Sequence, residues 1–348
     1  MSTRMNAGVR SPTLHDVARE AGVSLATASR SLNGSARKVN DAYRERVQAA
    51  AARLGYTPNL SAQAVAKGST MTVALVVGDI SDPYFSSIAA GVIGAAEESG
   101  FIVTMAVTAR DSERELALVR ALRGQRPRVL ILAGSRTSDE PSQQALVAEL
   151  TAFESTGGRV VVISQHELPF DTVLLDNYGG ARRLAAELVG LGYRRFAVIS
   201  GVPSLLTSRD RVLGFLDGLA EHDLTVPADR IVHTEFTRDG GFAGAVELLE
   251  HGIDDVELVF AVNDVMAVGA MSALREAGRI PGESIAVAGF DDIPTVRDIT
   301  PALTTVQIPL IDVGRHAVEL ALAPRTAGGT EIPVETTVVI RESTPARK

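Results

Sequence analysis

Cysteine and tryptophan are both absent from the 348 residues. Without cysteine the chain has no disulfide framework and no thiolate metal site, which suits a reducing compartment. No apolar run approaches the ~18–20 residues of a membrane helix. Met1 to Arg10 is polar and offers no secretory h-region. A soluble, cytoplasmic protein is expected. The six histidines, His15, His166, His222, His233, His251 and His316, are scattered without metal-ligand spacing. There is no G-x-S-x-G elbow, no Walker loop, and no G-x-G-x-x-G after a first strand. The paired acids Asp254-Asp255 and Asp291-Asp292 read most simply as solvated turns. Neither catalysis nor a cofactor nor a metal is expected.

The length suggests two or three domains. The net charge of −8 argues against nucleic acid until the chain is divided. Residues 1–70 carry ten Lys/Arg and four Asp/Glu, a net of +6, and residues 71–348 carry 24 against 38, a net of −14. A basic module on an acidic body confines the attraction for phosphate to one end.

Within that end, Leu14, Val17, Ala18 and Ala21 form one apolar stripe at helical spacing. Thr13 with Asp16 is a capping box opening the helix. Gly22 allows a tight turn, and Ser24 is the N-cap of a second helix through Leu32. A third spans 41–54, with Asn40 as its cap, Val47, Ala50, Ala51 and Leu54 as its stripe, and Gly55 as its end. Residues 61–67 read as a fourth, under two turns long. The pattern fits a helix-turn-helix, which lays its second helix in the DNA major groove and opens it with short or hydrogen-bonding residues, and it equally fits a three-helix bundle with no DNA role.

From Thr72 onward, short β-branched runs alternate with amphipathic stretches, which means parallel sheets covered on both faces. The strands read as 73–77, 102–107, 129–132 and 160–163, then 173–175, 195–199, 231–234, 259–262 and 285–288. Two similar lobes accommodate that number better than one sheet.

The run from Thr13 to Asn33, continued by Leu54-Gly55-Tyr56-Thr57-Pro58-Asn59, closely resembles the headpiece signature of the Lac repressor (LacI/GalR) family. The resemblance extends through Asp82-Pro83-Tyr84-Phe85, Asp176-Asn177, Arg211 with Gly214-Phe215, Asn263-Asp264, Gly289-Phe290-Asp291-Asp292, Pro301 to Val306 and Arg341-Glu342-Ser343-Thr344. It implies an all-α helix-turn-helix headpiece (1–58), a hinge helix or linker (59–70), and an α/β periplasmic-binding-protein-like (type I) two-lobed domain with parallel sheets (71–348). The lobes would be 71–171 with 305–328, and 172–304 with 329–348. The implied function is a repressor, a homodimer on palindromic double-stranded operator DNA, whose affinity is set by a small effector, a sugar or related polar metabolite, bound between the lobes. With no leucine heptad after the last strand, a dimer rather than a tetramer is expected.

By this resemblance Leu25, Ala26 and Arg30 read bases, Arg30 through guanine O6/N7 and the other two through apolar contact. Thr27, Ser29 and Asn33 hold the DNA backbone. Val65 stands where the family wedges a leucine into the minor groove. Tyr84, Phe85, Ser164, Asp176, Thr207, Arg211, Phe236, Asn263 and Asp291 are the expected ligand contacts, several at the carboxyl ends of strands where open α/β sheets bind ligands. Leu205 replaces an arginine of purine-responsive members. Two other readings stay open: a regulator answering a protein partner or having a degenerate cleft, and a periplasmic sugar receptor, which would lack the headpiece.

Overall fold

A computed structural model of the chain describes residues 12–33, 39–57, 70–165, 168–325 and 329–347. The chain divides into two compact units, 1–70 and 71–348. Val65 and the expected helix at 61–67 lie outside the described residues, as does His166.

The first unit contains three described helices, α1 (Leu14–Ala21), α2 (Leu25–Asn33) and α3 (Asp41–Leu54). The Thr13 capping box is formed, with the Thr13 N–H donating to Asp16 Oδ2 at 2.9 Å. Gly22 ends α1 at φ 63, a left-handed conformation that glycine adopts without strain. Ser24 Oγ accepts from the Thr27 N–H, so it caps α2 as expected. Val17, Ala18 and Ala21 meet Ala28, Val47, Ala50 and Ala51 in a small core. Arg46 braces the turn by donating to the Ala21 carbonyl at 2.6 Å.

The second unit holds two parallel sheets. The N-lobe sheet contains β1 (Thr72–Val77), β2 (Ile102–Val107), β3 (Val129–Ala133), β4 (Arg159–Ser164), β5 (Asp171–Leu175) and β11 (Glu331–Val334), in the order β11-β5-β4-β3-β1-β2. Its helices are α4 (Pro83–Glu98), α5 (Ser112–Gln125), α6 (Glu140–Ser155) and α11 (Leu310–Leu322). The C-lobe sheet contains β6 (Phe196–Ser200), β7 (Ile231–His233), β8 (Leu258–Ala261) and β9 (Ala286–Ala288), in the order β7-β6-β8-β9. Around it lie α7 (Asn177–Gly190), α8 (Leu206–Ala220), α9 (Arg238–Glu250) and α10 (Asp264–Glu276). A short antiparallel ribbon of β10 (Thr305–Gln307) and β12 (Thr337–Val339) completes the unit. The central N-lobe strands β1, β3 and β4 are buried on both faces, which is why they read as continuous apolar runs.

Chain connectivity corrects the expected lobe boundaries. Residues 172–175 and 331–334 are expected in the C-lobe, yet β5 and β11 pair in parallel with each other and β5 with β4. The buried Arg159–Asp171 ion pair at 2.7 Å fixes that arrangement, and Asp171 also accepts from the Thr330 N–H. The chain therefore passes between lobes at 175–177, 307–310 and 334–337. The second passage leads into α11, which packs closely on α4. A Cβ on Gly91 would collide with the Ile311 carbonyl, and one on Gly314 with that of Ile88.

Candidate functional site

On α2 the side chains of Leu25, Ala26 and Arg30 are exposed, Thr27 and Ser29 are half-buried, and Ala28 faces the core. Helical geometry accounts for much of the division, because Ala26 and Arg30 lie about 160° around the helix from Ala28 and Thr27 and Ser29 about 100°. Arg30 lies along the helix, its Nε donating to the Ala26 carbonyl at 3.1 Å. Asn33 ends α2.

The second candidate site is a cleft between the two lobes, partly open to solvent. Every lobe segment reaching it leaves the carboxyl end of a strand or opens the following helix, as parallel topology requires. Tyr84, Phe85, Ser164, Thr207, Arg211, Phe236, Asn263 and Asp291 all line it.

Arg211 is the centre of the C-lobe wall and is 2% exposed. Its Nη2 lies 2.7 Å from Asp291 Oδ1, its Nε donates to Asn177 Oδ1 at 2.9 Å, and its Nη1 donates to the Val262 carbonyl at 2.8 Å. The Phe290 ring covers one guanidinium face at 3.9 Å. This reaches the first interlobe passage directly, since Asn177 opens α7. Asp291 has φ 123, a conformation that is strained for any residue with a Cβ. Burial raises its carboxyl pKa, and the guanidinium opposes that. The Asn263 side chain caps α10 through the Met266 N–H at 2.9 Å while lining the cleft. One residue thus does both things that an asparagine at a strand end can do.

The N-lobe wall holds groups that sequence reasoning missed. Arg110 binds Asp79 at 3.2 Å and Asp82 at 2.9 Å, and lies 5.8 Å from the Phe85 ring centroid. Arg110 and Ala109 both have positive φ, at 58 and 55. The Thr108 hydroxyl supports that turn by accepting from the Arg110 N–H. Arg136, 5% exposed, makes a two-pronged pair with Glu115 at 2.8 and 2.9 Å. Their one sequence signal was position: each follows a strand that was read correctly. Phe85 is itself buried, edge-on to Tyr84 at 5.0 Å, so it shapes the wall more than it offers a stacking face.

The lobes touch along one side of the cleft. The Leu206 N–H donates to the Arg136 carbonyl and the Ser138 N–H to that of Ser204, both at 2.9 Å. The Thr207 N–H donates to Ser135 Oγ at 3.1 Å, while its hydroxyl accepts from Gln165 Nε2 at 2.8 Å. Ser164 takes part by donating to Gln165 Oε1.

Asp176 does not join the cleft. Its carboxylate caps α7 through the Gly179 N–H at 2.8 Å and pairs with Arg183 at 2.9 Å, facing a separate groove. A carboxylate one residue past a strand serves either role, and here capping wins. Asp176→Ala is therefore expected to leave ligand affinity unchanged within twofold in titration calorimetry, while lowering stability by about 1 kcal/mol through the lost cap. A tenfold loss of affinity would return it to the binding site.

The solvated-turn reading of Asp291-Asp292 also fails, because both are 4% exposed. Asp292 is held by Arg297, Arg341 and Gln307, which ties the loop after β9 to the ribbon at two interlobe passages. Asp254 and Asp255, by contrast, have exposed side chains. Beside this network Asp264 is fully buried, accepting from the Ile293 N–H at 2.9 Å and the Thr305 hydroxyl at 2.6 Å. Burial pushes its carboxyl up to about 7, with Asp292 adding to the rise while its hydrogen bonds and Arg211 oppose it. The raised value means the folded chain holds this proton more tightly than the unfolded chain. Its contribution to stability is full below about pH 4 and disappears as the pH rises toward 7, at up to about 1.4 kcal/mol per pH unit. Urea unfolding across this range should show wild type losing stability relative to Asp264→Asn as pH rises; parallel curves would contradict the assignment.

Among the described residues no cluster of His, Asp and Glu could hold a metal ion, and no helix is long and apolar enough to cross a membrane.

Comparison with known proteins agrees with both halves of the chain. A profile of bacterial regulatory proteins of the lacI family matches residues 13–59, and one of periplasmic binding proteins and the sugar-binding domain of the LacI family matches residues 70–337. The transcriptional regulator CelR of Thermobifida fusca is 35% identical over 96% of this chain and 98% of its own length. The regulator GalR of Escherichia coli K12 is 33% identical over 89% and 88%. Among solved structures, the Lac repressor dimer bound to operator and the anti-inducer ONPF superposes with a TM-score of 0.81 at 26% identity, covering 97% of this chain and all of that one. The CelR–cellobiose complex gives 0.69 at 32% identity, covering 95% and 99%. A basic helix-turn-helix unit and a two-lobed body with a polar cleft, matched in order over nearly the whole length, place this chain in the LacI family of bacterial transcriptional regulators.

Proposed function

We propose that the chain is a cytoplasmic homodimer that represses transcription from a palindromic operator, with its operator affinity set by a sugar bound between the lobes. The observation that carries this reading is the pairing, in one chain, of an exposed α2 face bearing a single arginine with an interlobe cleft walled by Arg211, Asp291 and Asn263. Leu25 and Ala26 make apolar contact with bases, Arg30 reads a guanine, and Thr27, Ser29 and Asn33 hold phosphates. In the cleft, carboxylate, amide and guanidinium groups beside Phe236 match the alternating donors and acceptors of a polyol. Cellobiose, the ligand named for the CelR complex, is the first sugar to test.

The test is fluorescence anisotropy on an operator recovered by in vitro selection with the full chain. Arg30→Ala should weaken binding by about 1–3 kcal/mol per half-site and relax preference at one base pair in each. Equal loss on all sequences would make Arg30 a phosphate contact instead. Specific binding that no sugar alters would favour a regulator with a degenerate cleft.

A further inference from the structure

Resting on the sugar reading, we propose that the effector is uncharged: the cleft accepts a neutral sugar and rejects its phosphorylated and carboxylate counterparts. The proposal comes from the ion pairs that already engage each guanidinium among the described residues of the cleft. Among the described residues the lining contains three guanidiniums and no lysine or histidine. Arg136 gives both Nη atoms to Glu115 and is nearly sealed from solvent. Arg110 gives its two Nη atoms to Asp79 and Asp82. Each of the three Arg211 nitrogens has a protein partner, and Phe290 covers one face. An incoming phosphate would have to displace a carboxylate fixed by the fold.

Helix N-termini are the other source of anion affinity, and those at the cleft are capped from within. Asp82 accepts the Tyr84 N–H at the start of α4, Asp111 the Arg114 N–H of α5, and Asn263 the Met266 N–H of α10. The start of α8 has no side-chain cap, but its first N–H groups donate to the Arg136 carbonyl and to Ser135 Oγ across the cleft. The lining carboxylates, Asp82, Asp111, Glu115 and Asp291, outnumber the guanidiniums. A hydroxyl suits such a wall because it can donate to a paired carboxylate without separating the pair. A second negative charge must be brought beside the first, and every cation among the described residues of the lining already has a carboxylate partner.

The experiment is calorimetric titration and thermal shift of the full-length protein with three matched pairs: cellobiose and cellobionate, glucose and glucose 6-phosphate, galactose and galacturonate. The expected result is binding by at least one neutral sugar and at least 100-fold weaker binding of its anionic partner. In Glu115→Gln, which releases Arg136, the anionic partner should recover at least tenfold relative to the neutral sugar. An anionic sugar that binds wild type as tightly as its neutral partner, or binds alone, overturns the inference and leaves the sugar reading standing. No response to any of the six removes the sugar reading and the inference with it.

Discussion

Arg211→Ala is expected to abolish the response to effector and to cost the body about 3–5 kcal/mol of stability, because it breaks a buried pair and leaves the partner charge without compensation. The arginine is 2% exposed, and its loss strands Asp291, the Asn177 amide and the Val262 carbonyl together. Ligand affinity should fall at least 100-fold, since the groups that would hold the sugar lose their positions along with the guanidinium. Arg211→Lys separates charge from geometry. A single ammonium can face Asp291 but cannot also reach Asn177 and Val262 in the plane of Phe290. It should recover part of the stability and little of the affinity. Near-normal titration of either variant with the wild-type effector would place the binding site elsewhere.

Removing residues 1–70 should abolish operator binding altogether and leave effector affinity within twofold. The charge division requires the first result: those residues carry +6, and the remaining chain carries −14 and would repel DNA phosphates. The second follows from packing, because the apolar cores of both lobes are built from residues 73 and beyond. Anisotropy with the selected operator and calorimetry with the effector check the two halves separately. DNA binding by the 71–348 fragment at physiological salt would contradict the division of labour.

Much of this architecture was legible before any coordinates, for local reasons. Thr13, Ser24 and Asn40 are caps whose chemistry depends only on the next two or three residues, and all three form as read. The central strands were visible because double-sided burial leaves uninterrupted β-branched runs, whereas the short β10, β11 and β12 were not read. Which sheet a strand joins was not visible. Val173-Leu174-Leu175 looks the same whichever lobe receives it, and its place beside β4 is decided by Arg159 and Asp171, far enough apart in sequence to carry no mark of their pairing. The cleft was legible on its C-lobe side, where Arg211, Asn263 and Asp291 stand in recognisable runs. Arg110 and Arg136 were overlooked because an arginine after a strand is ordinarily a solvated surface residue. Their significance depends on Asp82 and Glu115, which approach only on folding. Asp176 shows the opposite error, a strand-end carboxylate whose local capping role was sufficient explanation.

The central claim is that occupancy of the cleft changes affinity for DNA. The connection is physical in the body: Arg211 binds Asn177 at the first passage between lobes, and Asp292 binds Gln307 and Arg341 near the other two. A sugar that reorganises Arg211 and Asp291 would therefore act on the segments that join the lobes. The direct measurement is the operator dissociation constant of the full-length protein, with and without a saturating sugar that calorimetry has shown to bind. A change of about 5–150-fold is expected, the range of ordinary allosteric coupling, and it should vanish in Arg211→Ala at the same sugar concentration. An operator dissociation constant that stays the same at full occupancy of the cleft would contradict the account.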